Sequence, residues 1–506
     1  MSRRPPDELR KEARVEWARL QALPQPLTPR DRLAIPCQEM PAQESLARAQ
    51  NMQEVTLGYS DEQARVEAER CLQCRNAPCV QGCPVRIQIP QFIAALAAGN
   101  PARAIAIIRE TSLLPAVCGR VCPQEMQCQA HCTVGKSLKS VDQAVAIGRL
   151  ERYAADWERT HGAVSPPVVA PATGKKVAVV GSGPAGITVA ADVRRAGHEV
   201  VLFEAFHKAG GVLVYGIPEF RLPKTIVQAE LDALQQMGVT IRTNFVVGRT
   251  RKITDLITKD GFDAVFVGSG AGLPKFMEIE GENLVGVYSA NEYLTRSNLM
   301  KAYDRERAET PIPSARRVAV LGGGNVAMDA ARTALRLGAQ EVHLIYRRTE
   351  VEMPARAEEV RHAKEEGVRI HVLQNAKRIL GANGHVTGIE CLRHELGDPD
   401  SSGRRRSMVI PDSEFQLPIE AVIVAIGNQS NPLIKQTTEG LDVDQWGRIV
   451  TDQQGHTSLP NVFAGGDIVL GTATVILAMG EGRRAAAAIN EMLQQENSAG
   501  VPARHS

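Results

Sequence analysis

Ten cysteines and two glycine-rich turns are the residues of this chain whose types and spacing can carry chemistry. Eight of the cysteines fall between Cys71 and Cys132, and none lies between 133 and 390. Their order is Cys71-x2-Cys74-x4-Cys79-x3-Cys83-Pro84, then Cys118-x3-Cys122-Pro123, then Cys128-x3-Cys132. Thiolates are soft ligands. Closely spaced cysteines supply two or three corners of an iron–sulfur cubane, and a distant one closes the cage. In two-cluster ferredoxin runs the cysteine before proline serves the other cluster. The block therefore predicts two 4Fe–4S clusters. A pair of structural zinc sites is the competing reading, but zinc motifs usually pair C-x2-C with a second C-x2-C or with histidines. Here the second half has only x3 and x5 spacings, and the one histidine within it, His131, adjoins Cys132. Without a secretory leader, such a block reads as a metal site rather than a disulfide framework.

The segment KKVAVVGSGPAGITVAADVRRAGHEVVLFE sets Gly181-x-Gly183-x-x-Gly186 directly after a strand pattern. Gly181 allows the tight turn, Gly183 lets the backbone approach a pyrophosphate, and Gly186 lets helix and strand pack closely. The helix N-terminus then faces the phosphates. Glu204 closes the second strand, 18 residues after Gly186. A carboxylate there accepts hydrogen bonds from ribose hydroxyls. The segment RRVAVLGGGNVAMDAARTALRLGAQEVHLIYRR repeats the design with Gly322-x-Gly324-x-x-Ala327, and alanine is tolerated at the third position. Where the first site has Glu204, the second has Arg347 and Arg348. A carboxylate would repel a 2′-phosphate, whereas guanidinium groups bind it with charge-assisted hydrogen bonds. The second site is thus expected to take NADPH rather than NADH.

A further glycine-rich turn, VFVGSGAG (265–272), follows another strand pattern, and Asp467 in NVFAGGDIVLGTATVILAMGEG sits at a strand end. Flavoprotein reductases of the two-dinucleotide-domain type resemble this layout. The resemblance implies FAD at the first site, with Asp467 on its ribityl chain. The candidate contacts there are Gly181, Gly183, Pro184, Ala185, Gly186, Glu204, Gly211, Gly268, Gly270, Gly466, Asp467 and Thr474. Those at the second site are Gly322, Gly324, Asn325, Val326, Ala327, Arg347, Arg348 and Gly427. Disulfide reductases of this plan need a cysteine pair beside the flavin, and none is present between 133 and 390. A flavin takes a hydride as two electrons and releases them singly, so it suits a passage from NADPH to iron–sulfur clusters. Hydride transfer needs ring stacking more than acid or base, and no catalytic side chain is named.

These residues need elements to position them. Residues 1–160 read as helical, with Ser60 and Pro90 near helix starts. The Pro-rich, uncharged SPPVVAPATG (165–174) reads as a linker. Beyond it, short β-branched runs (KVAVVG, EVVLFE, DAVFVG, RVAVLG, EVHLIY, AVIVAIG) alternate with Ala-rich helical stretches, the rhythm of a parallel sheet with crossover helices. The expected architecture is a helical iron–sulfur domain followed by two Rossmann-like α/β domains. Residues 1–170 form the double 4Fe–4S domain with its linker. Residues 171–298 and 427–506 form the FAD domain, and 299–426 the NADP domain. A chain of 506 residues with 23% charged residues and a net charge of +2 suggests neither nucleic acid nor disorder. No run of about 18 apolar residues suggests a membrane span. The N-terminus lacks an apolar h-region, and Asp7, Glu8, Glu12 and Glu16 argue against a transit peptide. A short amphipathic helix and a cytoplasmic location are expected.

The strings EAERCLQCRNAPCVQGCPV, LPAVCGRVCPQEMQC, AIGRLERY, GGVLVYGIPEFRLPK, GGGNVAMDAARTALRLGA and YRRTEVEMPAR resemble the glutamate synthase small (β) subunit family, over about residues 45–490. The texture is that of the stand-alone NADPH-dependent type. It is similar to the large subunit of NADH-dependent ferredoxin:NADP oxidoreductase and to the N-terminal module of dihydropyrimidine dehydrogenase. The resemblance implies one cluster on Cys71, Cys74, Cys79 and Cys132, and another on Cys83, Cys122, Cys128 and Glu151. Cys118 is then a packed thiol, although spacing alone would enlist all eight cysteines. No stretch reads as a glutamine-hydrolysing domain or a flavin-binding barrel. The family therefore implies an NADPH-oxidising subunit that passes electrons to a partner in a hetero-oligomer. A glutamate synthase large subunit is the leading candidate, and a ferredoxin or smaller flavoprotein subunit of a bifurcating complex is the alternative.

Overall fold

The computed structural model describes residues 4–162, 167–304, 306–308, 310–399 and 403–498. Ser165 and Pro166 of the expected linker, and the extreme ends at 1–3 and 499–506, lie outside these residues.

The N-terminal third is helical. Helix α1 (Pro6–Gln21) turns Leu9, Ala13 and Leu20 inward. Trp17 and Leu20, with Leu27 and Ile35, meet Val66 of α2 (Asp61–Glu69). Residues 6–35 therefore close one side of the helical domain. Ser60 starts α2 through reciprocal hydrogen bonds with Gln63. Pro90 and Pro101 stand in the first turns of α3 (Ile89–Ala97) and α4 (Pro101–Arg109), where a missing N–H breaks no helical bond. Phe92, Ile93 and Leu96 pack there with Ile105, Ile107 and Ile108. Helix α5 (Pro115–Val121) is buried along its whole length. It lies against α6 (Ile147–His161) at Gly119, where a Cβ would come within 2.6 Å of the Arg152 nitrogen. That approach sets Cys118 and Cys122 beside Glu151.

Beyond residue 174 the chain is α/β. Strands β1 (Lys176–Val180), β2 (Glu199–Phe203), β3 (Thr240–Arg242) and β4 (Ala264–Val267) are parallel, with α7 (Pro184–Arg195) crossing from β1 to β2. Their apolar runs are buried, as a helix-covered sheet requires. The second sheet contains β5 (Val287–Ser289), β6 (Arg317–Leu321), β7 (Glu341–Tyr346) and β8 (Arg369–Val372), with α8 (Asn325–Arg336) and α9 (Ala357–Glu365) between them. An antiparallel annex of β9 (Gln374–Ala382), β10 (His385–Pro399), β11 (Arg405–Val409) and β12 (Phe415–Leu417) follows. Strand β13 (Ala421–Val424) returns between β5 and β6. Strand β14 (Val462–Ala464) rejoins β4, and α10 (Val475–Ser498) packs on α7. The orders are β14-β4-β1-β2-β3 and β5-β13-β6-β7-β8.

The expected break at 298/299 is moved by this topology. Strand β5 pairs with β13, a partner far along the chain that local patterning does not display, so residues 287–298 lie with the second sheet.

Buried ion pairs lock the helical domain onto the second sheet. Arg48, fully buried, donates to Glu366 at 2.9 Å and to Glu365 at 2.5 Å. Burial alone would raise the Glu366 carboxyl, but Arg332 and Arg336 hold it down to about 2. Removing one partner of such a buried pair costs about 3–5 kcal/mol.

Candidate functional site

The two glycine-rich turns share one construction. At Gly181, where φ is +99°, a Cβ would meet the Gly268 oxygen at 2.5 Å, and at Gly186 it would meet the Gly181 oxygen at 1.9 Å. Packing within the protein demands both glycines. At Gly183 a Cβ would meet no protein atom within 4 Å. The space beside Gly183 is therefore left for something other than protein. Helix α7 starts there with no side-chain cap on its first N–H groups, which suits a pyrophosphate. The second turn repeats this. A Cβ on Gly322 would lie 2.4 Å from the Ala425 oxygen, while one on Gly324 would find only Pro354 Cγ at 3.9 Å. Ala327 is buried in the helix–strand contact, and α8 is likewise uncapped.

Carboxylates surround the first turn. Glu204, 5% exposed, accepts from the Ser182 N–H at 3.1 Å, from the Ser182 hydroxyl, and from the Phe206 N–H at 2.8 Å. The Gly210 N–H donates to Ser182 Oγ at 2.8 Å, and Gly211 backs onto Gly183. Asp467 follows Gly466, whose φ is +80°. Burial pushes the Asp467 carboxyl up to about 6, against a hydrogen bond from the Ala473 N–H. Burial, then the charges of Glu204 and Asp467, raise the Tyr215 phenol. Pro184 and Ala185 open α7, and the Ala185 carbonyl abuts Gly482 of α10. Gly268 presents its carbonyl to Gly181, and Gly270 has no protein atom within Cβ reach.

Guanidinium groups mark the second turn. The two expected readers part company here. Arg347 is exposed, whereas Arg348 is buried and donates from Nε to the Arg405 carbonyl at 2.6 Å. Asn325 Oδ1 accepts from the Arg356 N–H at 3.0 Å, and Val326 beside it is 42% exposed. Gly427, just past β13, has φ +107° and open space where a Cβ would stand.

The cysteines form two groups. Burial, then Cys132 and Cys74, push the Cys71 thiol up to about 11. Burial, then Cys71, Cys132 and Cys74, push Cys79 up to about 12. These four thiols thus feel one another's charge. In the second group, burial, with Glu151 and Cys122, pushes Cys83 up to about 11. Burial, then Cys83, Cys122 and Glu151, raise Cys128. Cys83, Cys122, Cys128 and Glu151 line one small cavity. Glu151 is 6% exposed, its Oε1 has no hydrogen-bond partner among the described residues, and burial pushes its carboxyl up to about 8. A buried, unsatisfied acceptor among thiols fits an iron–sulfur cluster, whose iron would supply the missing positive partner. Cys118 is fully buried, and its Sγ lies 3.5 Å from Met479 Sδ. Among the described residues no three His, Cys, Asp or Glu groups close on a single metal ion.

Some site neighbours escape the sequence reading. Ser182 braces Glu204. Arg356 reaches across domains to the Arg120 carbonyl at 2.6 Å and to Gln124 Oε1 at 3.2 Å. It lay within the string YRRTEVEMPAR, but only tertiary contacts reveal its reach. Gln127 Nε2 donates to Thr474 Oγ1 at 3.2 Å, joining the cysteine loops to the start of α10. Among the described residues no helix is long and apolar enough to cross a membrane.

Comparison with known proteins agrees with this division. Residues 48–163 match the family described as dihydropyrimidine dehydrogenase domain II, 4Fe-4S cluster, and residues 175–490 match pyridine nucleotide-disulphide oxidoreductase. The chain is 40% identical to the NADP(+)-dependent formate dehydrogenase subunit beta of Moorella thermoacetica over 83% of its own length, but spans only 60% of that relative. It is 37% identical to the glutamate synthase [NADPH] small chain of Escherichia coli, covering 86% of this chain and 93% of the relative. The structure of Mycobacterium tuberculosis FprA in complex with NADPH has the same fold, with a TM-score of 0.55 at 20% identity over 67% of this chain and 88% of that one. With a family match over residues 175–490 and a relative matched nearly end to end, the chain belongs to the glutamate synthase small-chain family of NADPH-dependent flavin and iron–sulfur oxidoreductases.

Proposed function

We propose that the chain is the electron-input subunit of a larger oxidoreductase, oxidising NADPH and delivering single electrons to a partner subunit. Bound FAD would convert hydride into single electrons, which 4Fe–4S clusters carry onward. Gly183 and the start of α7 hold the FAD pyrophosphate, Glu204 takes ribose hydroxyls, and Asp467 the ribityl chain. Gly324, the start of α8 and Arg347 hold NADPH. Cys71, Cys74, Cys79 and Cys132 ligate one cluster, and Cys83, Cys122, Cys128 and Glu151 the other.

The observation that carries this reading is the placement of α10. Its entry follows the Asp467 loop, and Ala473 and Thr474 bond to Asp467 and Gln127 respectively. Ile476 lines the cavity of the second thiol group, and Gly480 presses on Pro84, next to Cys83. One helix therefore joins the flavin-side carboxylate to a cluster-side wall. In the other thiol group, Cys74 and Cys79 are half-buried rather than buried, which supports an exit toward a docked partner there. The glutamate synthase relatives favour a glutamate synthase large subunit as that partner. The formate dehydrogenase relative favours a second reading, service to another oxidoreductase complex with the same input chemistry.

Anaerobically purified protein is expected to reduce a one-electron dye with NADPH, and no reduction by flavin- and iron-loaded protein would refute the proposal. Replacing Glu151 with Ala should lower the iron content toward one cluster per chain, while Cys118→Ser keeps both. The reverse pattern overturns the ligand assignment. Identifying the subunit that co-purifies from the native source separates the two partners.

A further inference from the structure

We propose that the antiparallel annex of the second sheet is part of the device that tells NADPH from NADH, with Ser407 positioning Arg347 and Arg348 tying the annex in place. The inference rests on the reading of Arg347 as the group that meets the 2′-phosphate, and the ligand class is a 2′-phosphorylated adenosine.

In the bend just past β7, Arg347 is exposed and Arg348 is buried. Arg348 then works as a tether. Its Nε donates to the Arg405 carbonyl, and its own carbonyl accepts from the Leu373 N–H at 3.1 Å. Leu373, with φ +54°, turns the chain from β8 into β9, and its carbonyl accepts from the His394 N–H at 2.8 Å. These contacts register β10 and β11 against the strand end.

Ser407 completes the arrangement. It pairs with Leu396 across the β10–β11 ladder. Its hydroxyl stands 2.6 Å from the Arg347 carbonyl and 2.7 Å from His394 Nδ1. A hydroxyl has one proton. The carbonyl can only accept, so the proton goes to Arg347 and Ser407 Oγ accepts from His394 Nδ1–H. The Ser407 side chain is thus held from both sides, and it pins the backbone of a residue 60 positions earlier. Burial, and then the charge of Arg347, hold His394 below the ordinary histidine range, so imidazole and guanidinium lie near each other. The Arg405 guanidinium is committed to the Leu396 and Gly397 carbonyls at 2.9 and 3.2 Å. Binding phosphate through Arg347 orders both its side chain and the backbone that carries it, and a backbone already pinned leaves only the side-chain part to be lost on binding.

The test compares coenzymes on the flavin- and iron-loaded full chain. Ser407→Ala is expected to lower the NADPH/NADH ratio of kcat/KM roughly fivefold, through KM for NADPH, because one hydrogen bond is lost. Ser407→Thr keeps the hydroxyl and should restore the ratio. Calorimetric binding of 2′,5′-ADP, compared with 5′-AMP, gives the same comparison without turnover. A ratio unmoved by Ser407→Ala, or equal loss for both coenzymes, overturns the role of the annex. Arg347→Gln is the control. If it also leaves the ratio unmoved, the 2′-phosphate reading itself is wrong; if it alone collapses the ratio, only the annex inference fails.

Discussion

The turns at Gly181 and Gly322 have nearly the same backbone and opposite electrostatics. Each needs its first glycine for packing, and each leaves its second glycine facing open space. The difference begins one strand later. Glu204 is buried and folded back onto Ser182, whereas Arg347 stands exposed beside an annex that, among the described residues, the first domain lacks. A buried carboxylate held by backbone donors suits a group that stays bound. An exposed guanidinium suits a coenzyme that arrives and leaves each cycle. On the proposed reading, the shared turn recognises a pyrophosphate, and the strand end decides which dinucleotide carries it.

The largest effect expected from breaking the comparison is at the second glycines. Gly183→Val should leave the fold intact, since a Cβ there meets no protein atom within 4 Å, yet abolish flavin binding. The purified variant should be bleached of flavin absorbance, with helical circular dichroism unchanged. Gly324→Val should do the opposite, keeping the flavin spectrum while NADPH no longer reduces it. Both variants behaving alike would end the division of labour between the turns.

A smaller effect sharpens it. Arg347→Gln should cut the NADPH/NADH ratio roughly 10- to 100-fold, the loss of charge-assisted hydrogen bonds worth about 1.5–3 kcal/mol. Arg348→Gln should lower the ratio less than Arg347→Gln does and, unlike it, lower thermal stability, because Arg348 ties the annex through Arg405 rather than facing solvent. Steady-state kinetics with each coenzyme distinguish the two.

The smallest expected effect concerns pH. The raised pKa of Asp467 means that the folded chain holds this proton more tightly than the unfolded one. Its contribution is fully present below about pH 3.9, the unfolded value, and is lost as pH rises through about 6. This holds for flavin-free protein. Asp467→Asn should flatten that part of the stability curve in a denaturant titration across pH 4–7. An unchanged slope would mean that Asp467 is better solvated than its burial indicates.

The glycine spacings, Glu204 and the cysteine block were legible because each depends on neighbours a few residues away. The turn, the helix start and the strand end are local consequences of the chain's own stereochemistry. The break near 298 was not legible, because β5 is defined by a partner strand more than a hundred residues later. Cys118 and Glu151 were separable only through a family resemblance. Spacing counts thiols, and nothing within the cysteine block announces Met479 as the neighbour of Cys118.

By itself the sequence determined the chemistry available to this protein: thiolates for two clusters, two phosphate-binding turns, and opposite charges at their strand ends. Tertiary structure alone decided which groups are placed to use it. It turned Arg347 outward and Arg348 inward, left Glu151 Oε1 without a partner among the described residues, and laid α10 between the carboxylate and the thiols. The physical reason is that burial and partnership arise from segments tens to hundreds of residues apart, and no local spacing specifies which of two neighbouring arginines will be covered.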